Sequence, residues 1–480
     1  MIVYGLLIAS CVGRKLGTID LAGFSLGCLV GNLTCLSIME GSLTAADTLM
    51  PRAFAAKQYS EVARLSIRAF CIGCGLLVVP IVPLCFMLGR FLESLGQDSE
   101  ASYLAQAWIR VYFLGALPNL AFRVIMRFLL AQQRPWPLVL ASFIPAIFIH
   151  PFILPPLVSR VGLVGSAWSI VLVQWMTIIL LLTYLRVHPA YVCETWPGIS
   201  RPLIEKSLQW RQLGQFLRLS IGGILSMNEW WFFEIMCFVA GSFGVVSLDA
   251  HTVAYNLVPL LFMLPLGVSI GLSVRMGHVI ADEAQRARSI AIWCIALITC
   301  LGAIVSYALH FFRYQVILIF TNDEGLYSFL PIEHTCIFVL AILFFFDLFL
   351  LLLDVLNLAL QIWTPVCFYI FLIYILATSC SIYRALGMQW RGAAIISVML
   401  YVFTMPFVLY FAMWRKGGLL AQWKVLPVCY TFMNAALVLG YACLDWEKHA
   451  EKIKEHIESS GENHIDLEVP LSEETPLIVV

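Results

Sequence analysis

Long apolar runs separated by short charged segments dominate the chain, and their spacing predicts membrane-spanning helices. A helix crossing lipid needs about 20 mostly apolar residues, and such runs recur along all 480 residues. After a polar turn over Gly13–Asp20 the pattern predicts a helix near Leu21–Ala46, then a charged loop with helical ends over Asp47–Arg68. Spans follow near Ala69–Leu92, Tyr103–Ala131, Pro137–Val158 and Gly162–Leu185. Arg186–Arg211, with its prolines, tryptophans and basic residues, reads as a central linker. Beyond it come spans near Leu213–Ala240, Leu248–Gly277 and Ala291–Phe312, a long apolar region from Pro331, and two last spans near Ala393–Met413 and Leu419–Leu444. Met1–Val12 is apolar but short for a crossing, which predicts a truncated first span.

Composition agrees with the pattern. Hydrophobic residues make up 61% of the chain, charged residues 12%, and mean hydropathy is +0.90, whereas soluble domains run about 45–50% apolar and about 25% charged. The fold class is therefore an all-α polytopic membrane protein of about twelve transmembrane helices. Residues 1–185 form a first lobe, 186–212 a linker, 213–444 a second lobe and 445–480 a charged tail. Lys and Arg collect in alternate loops, at Arg52, Lys57, Arg64, Arg134, Lys206, Arg211, Arg275, Arg286, Arg288 and Arg391. The positive-inside rule makes that side cytosolic, together with the linker and the tail. A net charge of zero offers no basic patch for nucleic acid. Of 15 scattered cysteines, Cys71 and Cys74 form a C-x-x-C in an apolar run without His or Asp nearby, so they read as small core residues. No span carries H-E-x-x-H, G-x-S-x-G or a paired His cluster, so an intramembrane enzyme is not expected. No cofactor or metal is expected either.

A faint internal repeat aligns Gly41–Ala55 with Gly267–Ala281 at an offset of 226 residues. Both copies close a long apolar helix and run into a basic segment. An even number of spans lies between them, so the halves share orientation, as in transporters built from parallel repeats around a central cavity.

The chemistry concentrates in Asn228–Glu234, where two carboxylates and four aromatic rings interrupt an apolar run. An ionisable residue at membrane depth marks a functional site, because burying its charge is costly. Glu229 and Glu234 lie about 140° apart on a helical wheel, so both can edge a wide cavity but not one narrow stripe. Acid beside aromatic rings suits an organic cation, through charge attraction and cation–π contact. A helix-to-helix hydrogen-bonding pair with interfacial tryptophans is the plainer reading. Asn32, Thr34 and Glu40 are further polar positions of the second helix. The sequon Asn32-Leu33-Thr34 lies at membrane depth, out of reach of glycosylation.

These segments resemble the multidrug and toxin extrusion (MATE) family of eukaryotic type, across nearly the whole chain. Ala46–Leu49 with Ala53–Ala55, Glu229-Trp230-Trp231, Pro265–Ser269 leading into Val274–Gly277, and Arg384–Gln389 carry the likeness. The resemblance implies twelve helices in two six-helix lobes, related by a pseudo-two-fold axis along the membrane normal, around a V-shaped cleft. It also implies export of organic cations or xenobiotics in exchange for H⁺ or Na⁺. Glu229 and Glu234 match acids of the seventh helix, Asn32 a polar residue of the second, and Trp230 and Tyr255 supply apolar contact. The Glu expected after Tyr255 is Asn256 here, which cannot exchange a proton. For one acid of the tenth helix the chain offers Asp347, which the resemblance favours, and Asp354. The Gly-Asn expected after Val274–Met276 is Gly277-His278, which leaves His278 without a role.

Pro331–Gly387 is nearly continuously apolar where one span is expected, so 358–381 reads as an insertion, either a re-entrant hairpin or sequence foreign to the family pattern. The tail from Trp446 predicts a short solvated helix with i,i+3 and i,i+4 charge pairs, then disorder from Ser459. Glu473–Ile478 has the acidic-x-x-x-Leu-Ile form of a sorting signal, which would engage a sorting adaptor at plasma, vacuolar or endolysosomal membranes. The competing functions are a flippase or lipid-linked carrier of the same superfamily and an inactive truncated paralogue. A shortage of basic residues at membrane depth argues against an anionic headgroup as cargo.

Overall fold

The structure, a computed structural model, describes residues 2–94, 96–192, 195–198, 200–316 and 337–465, excepting the side chains of 2–6, 18, 245, 248, 249, 256, 337–354 and 456–465. Among the described residues all regular structure is helical. The first half consists of α1 (Ile2–Lys15), α2 (Ile19–Ala55), α3 (Tyr59–Ser94), α4 (Ser99–Ala131), α5 (Trp136–Val161) and α6 (Leu163–Val187). A short α7 (Arg201–Ser207) precedes α8 (Trp210–Ser226) and α9 (Asn228–Gly241). Then come α10 (Val245–Val279), α11 (Ala284–Phe311), α12 (Ile337–Ala385), α13 (Gln389–Trp414), α14 (Gly418–Ala442) and α15 (Trp446–Ile465). Ten of these stretches are long and apolar enough to cross a membrane among the described residues. The α8–α9 pair and α1 bring the set to the twelve of a two-lobed membrane bundle.

Two separate hydrophobic cores define the lobes. One runs from Ile8 to Leu185 and takes in Phe216, the other from Phe232 to Ile453. The seventh span, expected as one helix over Leu213–Ala240, is broken at Met227. Its first half, α8, packs Phe216 and Leu219 into the first core, while α9 buries Phe232 and Met236 in the second. The start of α9 is held by α13, where Tyr401 donates to Asn228 O at 3.1 Å and Asn228 bonds Ser397.

Three expectations need correction. The charged loop with helical ends expected over Asp47–Arg68 shrinks to a turn at 56–58: α2 continues to Ala55 and α3 begins at Tyr59, because Asp47 and Arg52 find buried partners inside the protein. Nor is 358–381 a re-entrant hairpin. It is continuous helix within α12, packed between α10, α11 and α14, and buries Ile362, Trp363, Tyr369, Ile370 and Tyr374. Such residues are an integral part of the second core. The tail helix α15 is not wholly solvated, since Trp446, Ala450 and Ile453 are buried against the second lobe. Glu473–Ile478 lies outside the described residues.

The Arg-rich end is closed by close packing within the first core and by hydrogen bonds from α2 to the second lobe. The second half of α2 packs on α8 so closely that a Cβ on Gly41 would lie 2.4 Å from Ile224 Cα, and one on Gly223 would lie 2.2 Å from Gly41 O. Ser220 Oγ donates to Ser42 O at 2.9 Å. Thr48 Oγ1 donates to Arg384 O and accepts from Gln389 Nε2, both at 2.7 Å, and Arg52 donates to Ala385 O. The turn receiving these bonds contains Gly387 at φ +72°, with Arg52 against it. A side chain there would be strained.

Candidate functional site

Between the closed end and the opposite end, the lobes enclose a cavity of about 440 Å³. Its wall brings together Asn32, Glu229, Trp230, Glu234 and Tyr255, residues picked out far apart in sequence. From the first lobe come Phe24, Tyr112, Glu40 and Arg123, and from the second Phe233, Phe262 and Tyr369. The side chains of Asn256, Asp347 and Asp354 lie outside the described residues.

Each site helix is shaped locally for its part. In α2 the stretch Asn32–Leu36 widens to a π-helical turn, a device that loosens the carbonyl ladder. Trp231 Nε1 crosses from α9 to Leu33 O and Ser37 Oγ in this region, each at 3.2 Å. On α9 the two carboxylates diverge, as the wheel predicts. Glu234 accepts both of its bonds from Tyr255 of α10, at 2.7 and 2.8 Å. Glu229 lies among tyrosines of α12 and α14 and accepts from Tyr369 at 3.2 Å and Tyr430 at 3.3 Å. Phe233, between them in sequence, stacks on Tyr255 and on Tyr369 with ring centroids 5.5 and 6.0 Å away. The site is thus two acids, each held by phenolic hydroxyls, around one aromatic stack. Among the described residues, neither acid meets an arginine or lysine.

Sequence reasoning missed Tyr369 because it falls inside 358–381, and Tyr430 because nothing local marks it. It also missed a charge cluster in the first lobe. Arg123 and Arg127, one turn apart on α4, both pair with Glu40, and Arg127 Nε lies 3.3 Å from Asp47 Oδ1. Basic residues do therefore sit at membrane depth, with their charge matched by carboxylates of α2. The i,i+4 arginine pair was the available signal.

A helical membrane protein whose two lobes meet around a cavity, sealed at one end and walled by acids and aromatic rings, has the build of a secondary transporter. The MatE family profile matches residues 1–155 and 223–350, one stretch in each lobe and together more than half of the chain. The chain belongs to the MatE family. It is similar to multidrug and toxin extrusion protein 2 of Mus musculus, with 27% identity over 458 residues covering 93% of this chain and 72% of that protein. Its likeness to multidrug and toxin extrusion protein 1 of Homo sapiens is 26% over 465 residues, covering 94% and 73%. In structure it resembles the eukaryotic MATE transporter AtDTX14, with a TM-score of 0.81 at 20% identity, covering 95% and 94% of the two chains. The Vibrio cholerae MATE transporter VcmN in its bent form scores 0.73 at 14% identity, covering 95% and 93%.

Proposed function

We propose that this chain is a secondary active antiporter that exports organic cations in exchange for H⁺, with Na⁺ as the alternative coupling ion. The observation that carries the reading is the state of the two acids. Among the described residues, Glu229 and Glu234 meet only tyrosine hydroxyls, so no protein cation neutralises them. Each can then hold a proton or sit beside a cationic cargo, and the two occupants compete. Glu40, bridged by two arginines, lacks that freedom.

A cation entering the cavity meets Glu234 first in a frame of Tyr255, Phe233 and Trp230, where ring faces add cation–π attraction. Asn32 supplies a polar contact from the other lobe. Glu229, with Tyr369 and Tyr430, provides the second carboxylate, and an acid of the tenth span, Asp347 or otherwise Asp354, a third. Asn256 orients without carrying charge. Protonation of the acids removes the attraction and releases the cargo. Taken with the positive-inside rule, the closed Arg-rich end is cytosolic, so this is the outward-facing arm of an alternating-access cycle.

The names of the relatives, multidrug and toxin extrusion proteins, support the cargo class. The test is uptake of a fluorescent organic cation into proteoliposomes under an imposed pH gradient, repeated with a Na⁺ gradient. Glu229→Gln and Glu234→Gln are each expected to abolish gradient-driven movement. Full gradient-dependent transport by either variant overturns that acid's coupling role.

A further inference from the structure

The second lobe carries a groove on its outer surface, away from the space between the lobes. It runs between α13 and α14, measures about 740 Å³, and shares no lining residue with the central cavity. Phe403, Phe407 and Phe411, four residues apart on α13, form one wall; Ala421, Val425 and Val428 of α14 face them and are too small to fill the space. The backbone contributes as well. Val398–Thr404 and Leu409–Trp414 are π-helical on either side of Pro406, so α13 does not run along α14 as one regular ridge.

Among the described residues of this lining, Lys424 alone is charged. Its side chain is exposed and has no hydrogen-bond or ion-pair partner among the described residues. Residues 389–442 contain no Asp or Glu, so neither helix supplies it with a counterion. α13 leaves the closed Arg-rich end at Gln389, where Gln389 bonds Thr48, and reaches the opposite end at Trp414. Lys424 therefore stands near that opposite end, roughly 9 Å along α14 from Gly418. Arg415 and Lys416 form the corner between the helices, with the Arg415 guanidinium 6.0 Å from the Tyr410 ring. A lysine at this depth keeps its stem on apolar surface and turns its ammonium toward the headgroups. An acyl chain fills the groove without bringing backbone polar groups into lipid. A second copy of the chain is a poorer occupant, because a two-fold contact sets each Lys424 against the same acid-free surface.

We infer that the α13–α14 groove binds one anionic phospholipid, with an acyl chain along the phenylalanine wall and the phosphate on Lys424. Arg415 and Lys416 add attraction for the rest of a negative headgroup. By the positive-inside rule the lipid comes from the non-cytosolic leaflet. The site is independent of the cation site proposed above and stands or falls separately from it.

The experiment titrates the full chain, delipidated in detergent, with phosphatidylglycerol or phosphatidylcholine of identical acyl chains and counts bound lipids by native mass spectrometry. The first phosphatidylglycerol is expected to bind roughly ten-fold more tightly than phosphatidylcholine, the scale of one charge-assisted hydrogen bond. Lys424→Gln should erase that preference and keep the weaker phosphatidylcholine binding. Val428→Trp, which fills the groove from an exposed position, should remove the first-bound lipid of either kind. Both variants should unfold in lipid-free detergent at the wild-type temperature. Glycerol phosphate, which carries the charge without the chains, should not compete. Equal affinities for the two lipids in the wild type, a preference unchanged in Lys424→Gln, or a first lipid that survives Val428→Trp overturns the inference. So does displacement by glycerol phosphate, which makes this a site for a free anion, or a dimer that Val428→Trp dissolves, which makes the groove a contact between copies.

Discussion

Arg52 and His278 make the same bond from opposite lobes. Arg52 of α2 donates to Ala385 O at the end of α12, and His278 Nε2 of α10 lies 2.7 Å from Ala131 O at the end of α4. The two stand at matching positions of the 226-residue repeat, and each grips the last carbonyls of a helix in the other lobe. Gln133 Nε2 lies 3.0 Å from His278 Nδ1, so the imidazole is held at both nitrogens. The residue that fitted no family pattern is one of a pair of pseudo-symmetric clamps.

Breaking a clamp should loosen the Arg-rich end. Hydrogen bonds to a charged donor are worth about 1.5–3 kcal/mol and neutral ones about 0.5–1.5 kcal/mol. Arg52→Ala is therefore expected to speed amide exchange over residues 384–388 by ten-fold or more, and His278→Ala to speed it over 131–134 by several-fold. Exchange measured by mass spectrometry at equal pH checks both, and unchanged protection at either segment removes that clamp.

Gly41 and Gly223 let the backbones of α2 and α8 touch. Backbone cannot rotate away as a side chain can, so Gly41→Ala and Gly223→Ala should each destabilise the protein by about 1–3 kcal/mol through overpacking. Gly267, inside α10, has nothing within 4 Å of its Cβ position and serves as the control. Gly267→Ala should be neutral or slightly stabilising, since alanine favours helix by up to about 1 kcal/mol. Thermal unfolding of the purified protein reads all three. A Gly41→Ala variant as stable as the Gly267→Ala variant contradicts the close approach.

Tyr369 and Tyr430 share one task. Both donate to Glu229 Oε1, and their hydroxyls lie 3.4 Å apart. With either replaced by Phe, Glu229 keeps one donor; with both replaced it has none among the described residues. The double variant is expected to lose more transport than the two single losses combined, with a coupling energy of about 0.5–3 kcal/mol. A double-mutant cycle on initial rates measures it, and strict additivity would show that the tyrosines act on Glu229 independently.

The tail helix should respond to pH through His449. Its Nε2 lies 2.9 Å from Leu386 O, the carbonyl next to the two that Thr48 and Arg52 grip. Burial pushes its pKa below the usual 6.5, the bond to Leu386 opposes this, and Arg52, Arg391 and Lys452 add to the lowering. A histidine with a depressed pKa docks as the neutral form. Undocked α15 binds a proton more readily than docked α15, so docking is fully stable above pH 6.5 and weakens as pH falls through that value. Exchange over residues 446–455, corrected for intrinsic pH dependence, should show protection falling as pH drops from 7.5 to 5.5, a range set around the reference histidine value of about 6.5. His449→Gln should abolish the trend. A pH trend preserved in that variant assigns it to another group.

How much of this was legible depended on how far each signal travels along the chain. Glu229 and Glu234 stood out because an acid in an apolar helix is anomalous on its own. Asn32, Trp230 and Tyr255 became visible through their likeness to a family pattern, and the cavity collects all of them. Tyr369 and Tyr430 did not, since a tyrosine in a span is ordinary until a carboxylate is placed beside it. Arg123 and Arg127 are an unmistakable pair once α4 is drawn as a helix, but Glu40 and Asp47 lie two turns apart on another element. Only packing shows that the four charges cancel. That 358–381 is core helix and not a hairpin was not legible, because uniform hydrophobicity fixes neither register nor neighbours.

The break at Met227 has a consequence for how the molecule moves. Because α8 packs Phe216 and Leu219 into one core and α9 buries Phe232 and Met236 in the other, the backbone passes from one core to the other at Met227. A rotation that separates the cores bends the chain at this point, with the glycine contact of α8 on one side and the first carboxylate of α9 two residues beyond it. Tilting the lobes therefore swings Glu229 about a nearby pivot, so a small turn there reorients the acid without a long lever to carry the motion.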